Sequence, residues 1–113
     1  TCIVDFGSGK GKLMLLAAEQ GFRKVIGVEF SMELVEIGRK NLKVYKQRIK
    51  SETEFEVFHM DAADYVIPPE ANLLFFSNPF KIWQDYIQSV SKSFPQILFC
   101  DVSLISLSRL RSM

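Results

Sequence analysis

Asp5, Gly7, Gly9 and Gly11 fall on alternate positions of the stretch Val4-Asp5-Phe6-Gly7-Ser8-Gly9-Lys10-Gly11-Lys12, and a second acidic residue, Glu29, closes the later apolar run Val25-Ile26-Gly27-Val28. An acidic group, backbone free of side chains and another acidic group about 20 residues on suit one kind of chemistry, the binding of a nucleoside. Glycines let the main chain approach a ligand closely. A helix starting behind them offers unpaired N–H groups, and a carboxylate at the tip of the next strand accepts hydrogen bonds from ribose hydroxyls.

Spacing separates the glycine-rich turns from one another. The dinucleotide fingerprint G-x-G-x-x-G puts its third glycine where this chain has Lys12, and Gly11 stands one position early. A P-loop needs G-x-x-x-x-G-K-[ST]. Gly7 to Gly11 is one residue short of that, and Lys12 is followed by Leu13 in place of a hydroxyl residue. What survives is acidic-x-Gly-x-Gly-x-Gly. Lys10 and Lys12 lie near a helix N-terminus, where a cation is unfavourable by roughly 0.3–1 kcal/mol. They read as solvent-facing residues, not as anion ligands.

This stretch resembles motif I of the class I, Rossmann-like, S-adenosylmethionine-dependent methyltransferases, and Glu29 matches the acidic residue that family places after its second strand. The resemblance spans about Cys2 to Val102 and implies S-adenosyl-L-methionine as cofactor. It implies that Asp5 holds the methionine amino end, directly or through water. Gly7, Gly9 and Gly11 let the backbone approach, and Glu29 takes the two ribose hydroxyls. His59-Met60-Asp61-Ala62 is similar to the family segment in which an acidic side chain and the next backbone amide hold the adenine. Asp61 and Ala62 fit those roles, Asp64 is the rival carboxylate, and a turn-forming role for Asp61 stands beside them. Phe30 packs either on the adenine face or in the core. Ser77-Asn78-Pro79-Phe80 resembles a shortened form, one proline fewer, of the Asn/Asp-Pro-Pro-Tyr/Phe motif of amino-group methyltransferases. That resemblance implies a nitrogen acceptor held by Asn78 and the carbonyl of Pro79 and stacked on Phe80. Read from the residues alone, the same segment is an Asx-Pro turn.

The elements that must position these residues follow from patterning. Cys2 to Phe6 is a short apolar run ended by glycine, a buried strand. Lys12 to Gln20 reads as a helix closed by Gly21, and Lys24 to Glu29 as the second strand. Ser31 caps a further helix, with Glu33 in its first turn. Val35, Gly38, Leu42, Tyr45 and Ile49 form its apolar stripe, and Arg39, Lys40, Lys43, Lys46 and Lys50 a basic face that reads as solvated, with contact to RNA or an acidic partner as the alternative. Glu54 to Phe58 alternates as an edge strand does. Asp61 to Pro69 is a loop with at most one helical turn, because Pro68 and Pro69 break it. Asn72 to Phe76 reads as a central strand, Ile82 to Val90 as a helix, and Gln96 to Cys100 as the last strand. The alternation predicts an α/β, mainly parallel, doubly wound sheet. The family resemblance implies strand order 3-2-1-4-5. Only Ser103 to Met113 remain after that, too short for the family's sixth and seventh strands, so one minimal or truncated domain over 1–113 is expected. An exposed fifth-strand edge follows, covered by Leu104, Ile105, Leu107 and Leu110 within one chain or in an oligomer.

Bulk composition narrows the partners. A chain of 113 residues with 48% hydrophobic content and net charge +1 supports one core-forming domain. It carries no global field for nucleic acid or an anionic membrane. No apolar run approaches a membrane span, and no signal peptide is legible. Cys2 and Cys100 have no metal spacing, and His59 is the single histidine. Neither a disulfide scaffold nor a metal site is expected, and an intracellular, cytoplasmic location is. The acceptor is left open between small molecule, protein and RNA. Two other functions stay in view: a nicotinamide-dependent NAD(P) oxidoreductase domain, which shares ribose recognition, and a non-catalytic module that kept the fold.

Overall fold

The structure is a computed structural model that describes residues 1–76, 88, 92, 93 and 98–101. Its sheet has strands β1 (Cys2–Phe6), β2 (Lys24–Glu29), β3 (Glu54–His59), β4 (Leu73–Phe76) and β5 (Leu98–Asp101), in spatial order β3-β2-β1-β4-β5. Every pairing among the described residues is parallel. The architecture and order are those expected from the alternation and the resemblance. β1 lies between β2 and β4, and all its residues are buried, which is why its sequence does not alternate in polarity.

Strand alternation sends side chains to two cores. Val4, Phe6, Ile26, Val28, Leu74 and Phe76 share one face with Ile67 and Ala71 of the segment before β4, and the Phe6 and Phe76 rings stack at 5.2 Å. Ile3, Val25 and Phe75 face the other way, against Met14 and Ala17 of α1 (Lys12–Glu19) and Leu42 of α2 (Met32–Ile49). Burial of such side chains contributes about 1.5–3 kcal/mol each and fixes register, since a one-residue slip would exchange the faces.

Local chemistry sets the helix ends. Gly21, at φ 94°, follows α1. The Phe22 N–H donates to Ala17 O at 3.3 Å and the Gly21 N–H to Ala18 O at 3.0 Å, the double closure of a Schellman motif. Ser31 Oγ accepts from the Leu34 N–H at 3.3 Å, and Glu33 occupies the first turn of α2, as expected of a capped start. The stripe of α2 is shorter than its spacing predicts. Val35, Gly38 and Leu42 are buried, Tyr45 is half-buried and Ile49 is 58% exposed. The 18 residues of α2 span roughly 27 Å, against roughly 20 Å for the 6 residues of β3, so the last turn overhangs the sheet.

Asn72 stands just before β4 instead of inside it. Its Oδ1 accepts from the Cys2 N–H at 2.7 Å and its own N–H donates to Cys2 O at 2.9 Å, which sets the start of both strands. The Cys2 thiol is free, and burial pushes its pKa up. A 3-10 turn over Ala62–Asp64 is the only helical element between β3 and the Pro68-Pro69 break. Apart from Gln88, the helix expected over Ile82 to Val90 lies outside the described residues, as do Leu104, Ile105, Leu107 and Leu110. No described helix is long and apolar enough to cross a membrane, and no acidic, His or Cys cluster of metal-binding kind occurs among the described residues.

Candidate functional site

Strand order reverses at β1, which has β2 on one side and β4 on the other. In an open parallel sheet, a crevice forms beyond the carboxyl ends at that point. The glycine loop leaves β1 there. Gly7, Gly9 and Gly11 have φ of 79°, 54° and 87°, a left-handed path that side chains resist. The Gly7 and Ser8 N–H groups donate to Val28 O at 2.8 and 3.3 Å, so the loop leans over the end of β2.

Glu29 fastens it. Oε1 accepts from the Gly9 N–H at 2.8 Å and Oε2 from the Ser31 N–H at 2.9 Å. One carboxylate thus staples the loop after β1 to the start of α2. Each oxygen has a further lone pair for another donor.

The glycines differ in what they admit. A Cβ on Gly9 would meet nothing within 4 Å among the described residues, which leaves space beside it for a ligand. A Cβ on Gly11 would point at Gly38 and Leu42 of α2 at 3.7 Å. Gly11 therefore serves the seating of the loop on that helix. From the other side, a Cβ on Gly38 would come 3.0 Å from Gly9 O, and Asn41 Nδ2 donates to Lys10 O at 2.9 Å. Gly38 and Asn41 hold the loop from outside. The sequence reading placed Gly38 only in the apolar stripe. The available signal was a glycine within a long helix, at a cost near 1 kcal/mol. Asn41 gave none.

Gly38→Ala is expected to be nearly neutral, because helix propensity regained offsets the crowding of Gly9 O. Gly38→Val adds a branched side chain at the same contact and is expected to lower the thermal midpoint, by roughly 4–8 °C per kcal/mol of strain. Equal midpoints for the two variants in a thermal melt would dismiss the close approach.

Other expected site residues lie around this centre. Asp5 is 1% exposed. It lies in register between Gly27 of β2 and Phe75 of β4, on the sheet face that carries α1. Phe30 is 74% exposed, which removes the core alternative for its ring. His59, in register with Glu29, has Nε2 2.9 Å from Phe30 O and so holds the turn that presents Phe30; this contact was not foreseen. Asp61 is exposed and its Oδ1 accepts from the Ala63 N–H at 2.9 Å. It therefore forms the turn that the residue alone suggested, and its Oδ2 belongs to the same exposed end. Ala62 is buried at 8% exposure. Lys10 and Lys12 are exposed, as expected. Asn78, Pro79 and Phe80 lie outside the described residues.

These residues fit an adenosyl cofactor on two counts: the open space at Gly9, and a carboxylate at the β2 tip with acceptor capacity left for hydroxyls. Comparison with known proteins agrees. A methyltransferase-domain family model matches residues 3–98. No curated protein sequence matches significantly. Among solved structures, an RNA methyltransferase from Salinibacter ruber in complex with S-adenosyl-L-homocysteine is 24% identical with a TM-score of 0.65, covering 85% of this chain and 57% of its own. A SAM-dependent methyltransferase from Thiobacillus denitrificans, also in complex with S-adenosyl-L-homocysteine, is 20% identical with a TM-score of 0.58, covering 73% and 31%. A putative S-adenosyl-L-methionine-dependent methyltransferase from Methanococcus maripaludis is 20% identical with a TM-score of 0.64, covering 88% and 47%. The chain thus spans between about a third and just over half of these proteins. With a matched model over most of its length and the sheet order and glycine loop described above, the chain belongs to the methyltransferase-domain family, whose cofactor is S-adenosyl-L-methionine.

Proposed function

We propose that this chain forms the cofactor-binding part of an S-adenosyl-L-methionine-dependent methyltransferase that acts on a nitrogen acceptor held at Asn78-Pro79-Phe80. The observation that carries the cofactor half is the Glu29 staple, with its carboxylate between Gly9 and Ser31 at the carboxyl ends of the strands. The acceptor half rests on the Asn78-Pro79-Phe80 segment following β4.

In this reading Glu29 orients the ribose through its remaining lone pairs, and the glycine loop carries the methionine part. Asp5 faces the amino end, directly or through water. Phe30 and the Asp61-Ala62 turn border the adenine, with Asp61 Oδ2 and the Ala62 N–H as the polar groups. The bound cofactor supplies an activated methyl group. The chain mainly aligns the acceptor and excludes water, and such positioning can supply roughly 7–11 kcal/mol. Asn78 Oδ1 and the Pro79 carbonyl accept hydrogen bonds from the amine N–H groups, which turns the nitrogen lone pair toward the methyl group. No strong general base is needed, because the methyl group is already activated.

The test is transfer of labelled methyl from S-adenosyl-L-methionine to pools of small amines, protein and RNA. Asn78→Ala is expected to reduce transfer by at least about tenfold, roughly 1.4 kcal/mol of barrier, with unchanged affinity for S-adenosyl-L-homocysteine. Label appearing only on oxygen or carbon acceptors would refute the nitrogen assignment. Binding without transfer to any pool would favour the non-catalytic module.

A further inference from the structure

We propose that the groove between α2 and the β3 edge is a docking surface for a single-stranded polynucleotide, separate from the cofactor site. The groove has a volume of about 290 Å³ and is lined by Arg39, Leu42, Lys43, Lys46, Phe55 and Val57. Three cations rim an apolar floor that includes one aromatic ring.

The net charge of +1 conceals how the charges are sorted. Arg39, Lys43 and Lys46 recur at helical spacing and are exposed, so they share one flank of α2. The acidic residues of that helix, Glu33 and Glu36, lie in its first turns, ahead of the groove. The acidic residues of β3 are on the opposite sheet face, because Phe55 and Val57 alternate with Glu54 and Glu56. Glu56 is moreover paired with Lys24 at 3.4 Å. Among the described residues, no carboxylate lines the groove.

The shape chooses among anionic partners. An acidic peptide adding itself as a strand would need the free edge of β3. Arg39 already occupies part of it, its Nη2 donating to Val57 O at 2.7 Å, a device that blunts edge pairing. A lipid surface is flat, whereas the apolar floor here is recessed between cationic side chains. A single-stranded polynucleotide offers alternating phosphates and flat apolar faces, which match a cationic rim over Leu42, Phe55 and Val57. The groove runs from Val57, two positions before His59 at the site end of β3, toward Lys46. A bound strand would thus pass the carboxyl-end crevice without entering it.

The experiment is fluorescence anisotropy of the intact chain with a labelled oligouridylate of roughly 16 nucleotides. It is run between about 50 and 200 mM salt. Saturable binding that weakens with salt is expected. Lys43→Glu and Lys46→Glu should each weaken it at least about fivefold and lower the slope of log K against log salt by about 0.7. Arg23→Glu, an equal charge change on an exposed residue outside the groove, should leave affinity within about twofold. Calorimetry with S-adenosyl-L-homocysteine should give the same affinity for all three variants, so failure of this surface is distinguishable from failure of the cofactor site. The proposal is overturned by an absence of binding at low salt, by an equal effect of Arg23→Glu, or by equal or tighter binding of polyglutamate or of a duplex of the same length.

Discussion

Glu29→Ala is expected to lose affinity for S-adenosyl-L-homocysteine by more than tenfold and to lower stability at the same time. The two losses share one cause. The carboxylate accepts from the Gly9 and Ser31 N–H groups at 2.8 and 2.9 Å. Hydrogen bonds to a charged group contribute about 1.5–3 kcal/mol each, and the lower end applies to a half-buried side chain. Removing the carboxylate frees the loop and the α2 entry together, and it also deletes the acceptors for ribose. Glu29→Gln separates the effects. Its amide keeps the shape and one acceptor oxygen but turns an NH2 toward one of the two N–H groups. It should recover part of the melting temperature and little of the affinity. Thermal melts and calorimetry on both variants read this directly. Unchanged affinity in the alanine variant would remove Glu29 from the site.

Gly27→Ala should be the most damaging single-methyl change in the described residues. Gly27 lies within β2, and a Cβ there would come 2.6 Å from Met14 Sδ, 2.7 Å from Ser8 Oγ and 2.8 Å from Ser8 Cβ. Met14 is fully buried and Ser8 is 6% exposed, so neither has space to retreat. Overpacking of this kind costs about 1–3 kcal/mol. The strain does not stay in the core. Ser8 is part of the glycine loop, and lifting it pulls on the Ser8 and Gly7 hydrogen bonds to Val28 O. Cofactor affinity should therefore fall along with the melting temperature. Ser8→Gly in the same chain removes one of the two obstacles. The double variant should be more stable than the sum of the single effects by roughly 1 kcal/mol. Strict additivity in denaturant unfolding would show that Ser8 does not press on β2.

Much of this was legible in the residues, for identifiable reasons. Apolar runs marked β1, β2 and β4, the first ended by glycine and the second by Glu29, because buried parallel strands need no polar face. Ser31 and Gly21 announced their helix ends through their own side-chain and backbone chemistry. The strand order came from resemblance rather than from patterning, since alternation specifies a parallel sheet without ordering it. What was not legible depends on distance in space. Ile49 fits the apolar spacing of α2, yet the sheet ends beneath it. Gly11 and Gly9 look alike in the motif, but one faces a helix and the other open space. Glu29 reads as a ribose acceptor. Its hold on Gly9 and Ser31 needs the loop to fold back over β2, which no local pattern records. Asp61 shows the reverse case, a proposed ligand residue whose turn-forming chemistry is visible in the fold.

The most direct test of the cofactor site is calorimetric titration of the chain with S-adenosyl-L-homocysteine, with NAD as a parallel titrant. One saturable site of micromolar dissociation constant, about −8 kcal/mol, and no heat with NAD is the predicted result. Folded protein that takes up no S-adenosyl-L-homocysteine at millimolar concentration, or that prefers NAD, would contradict it.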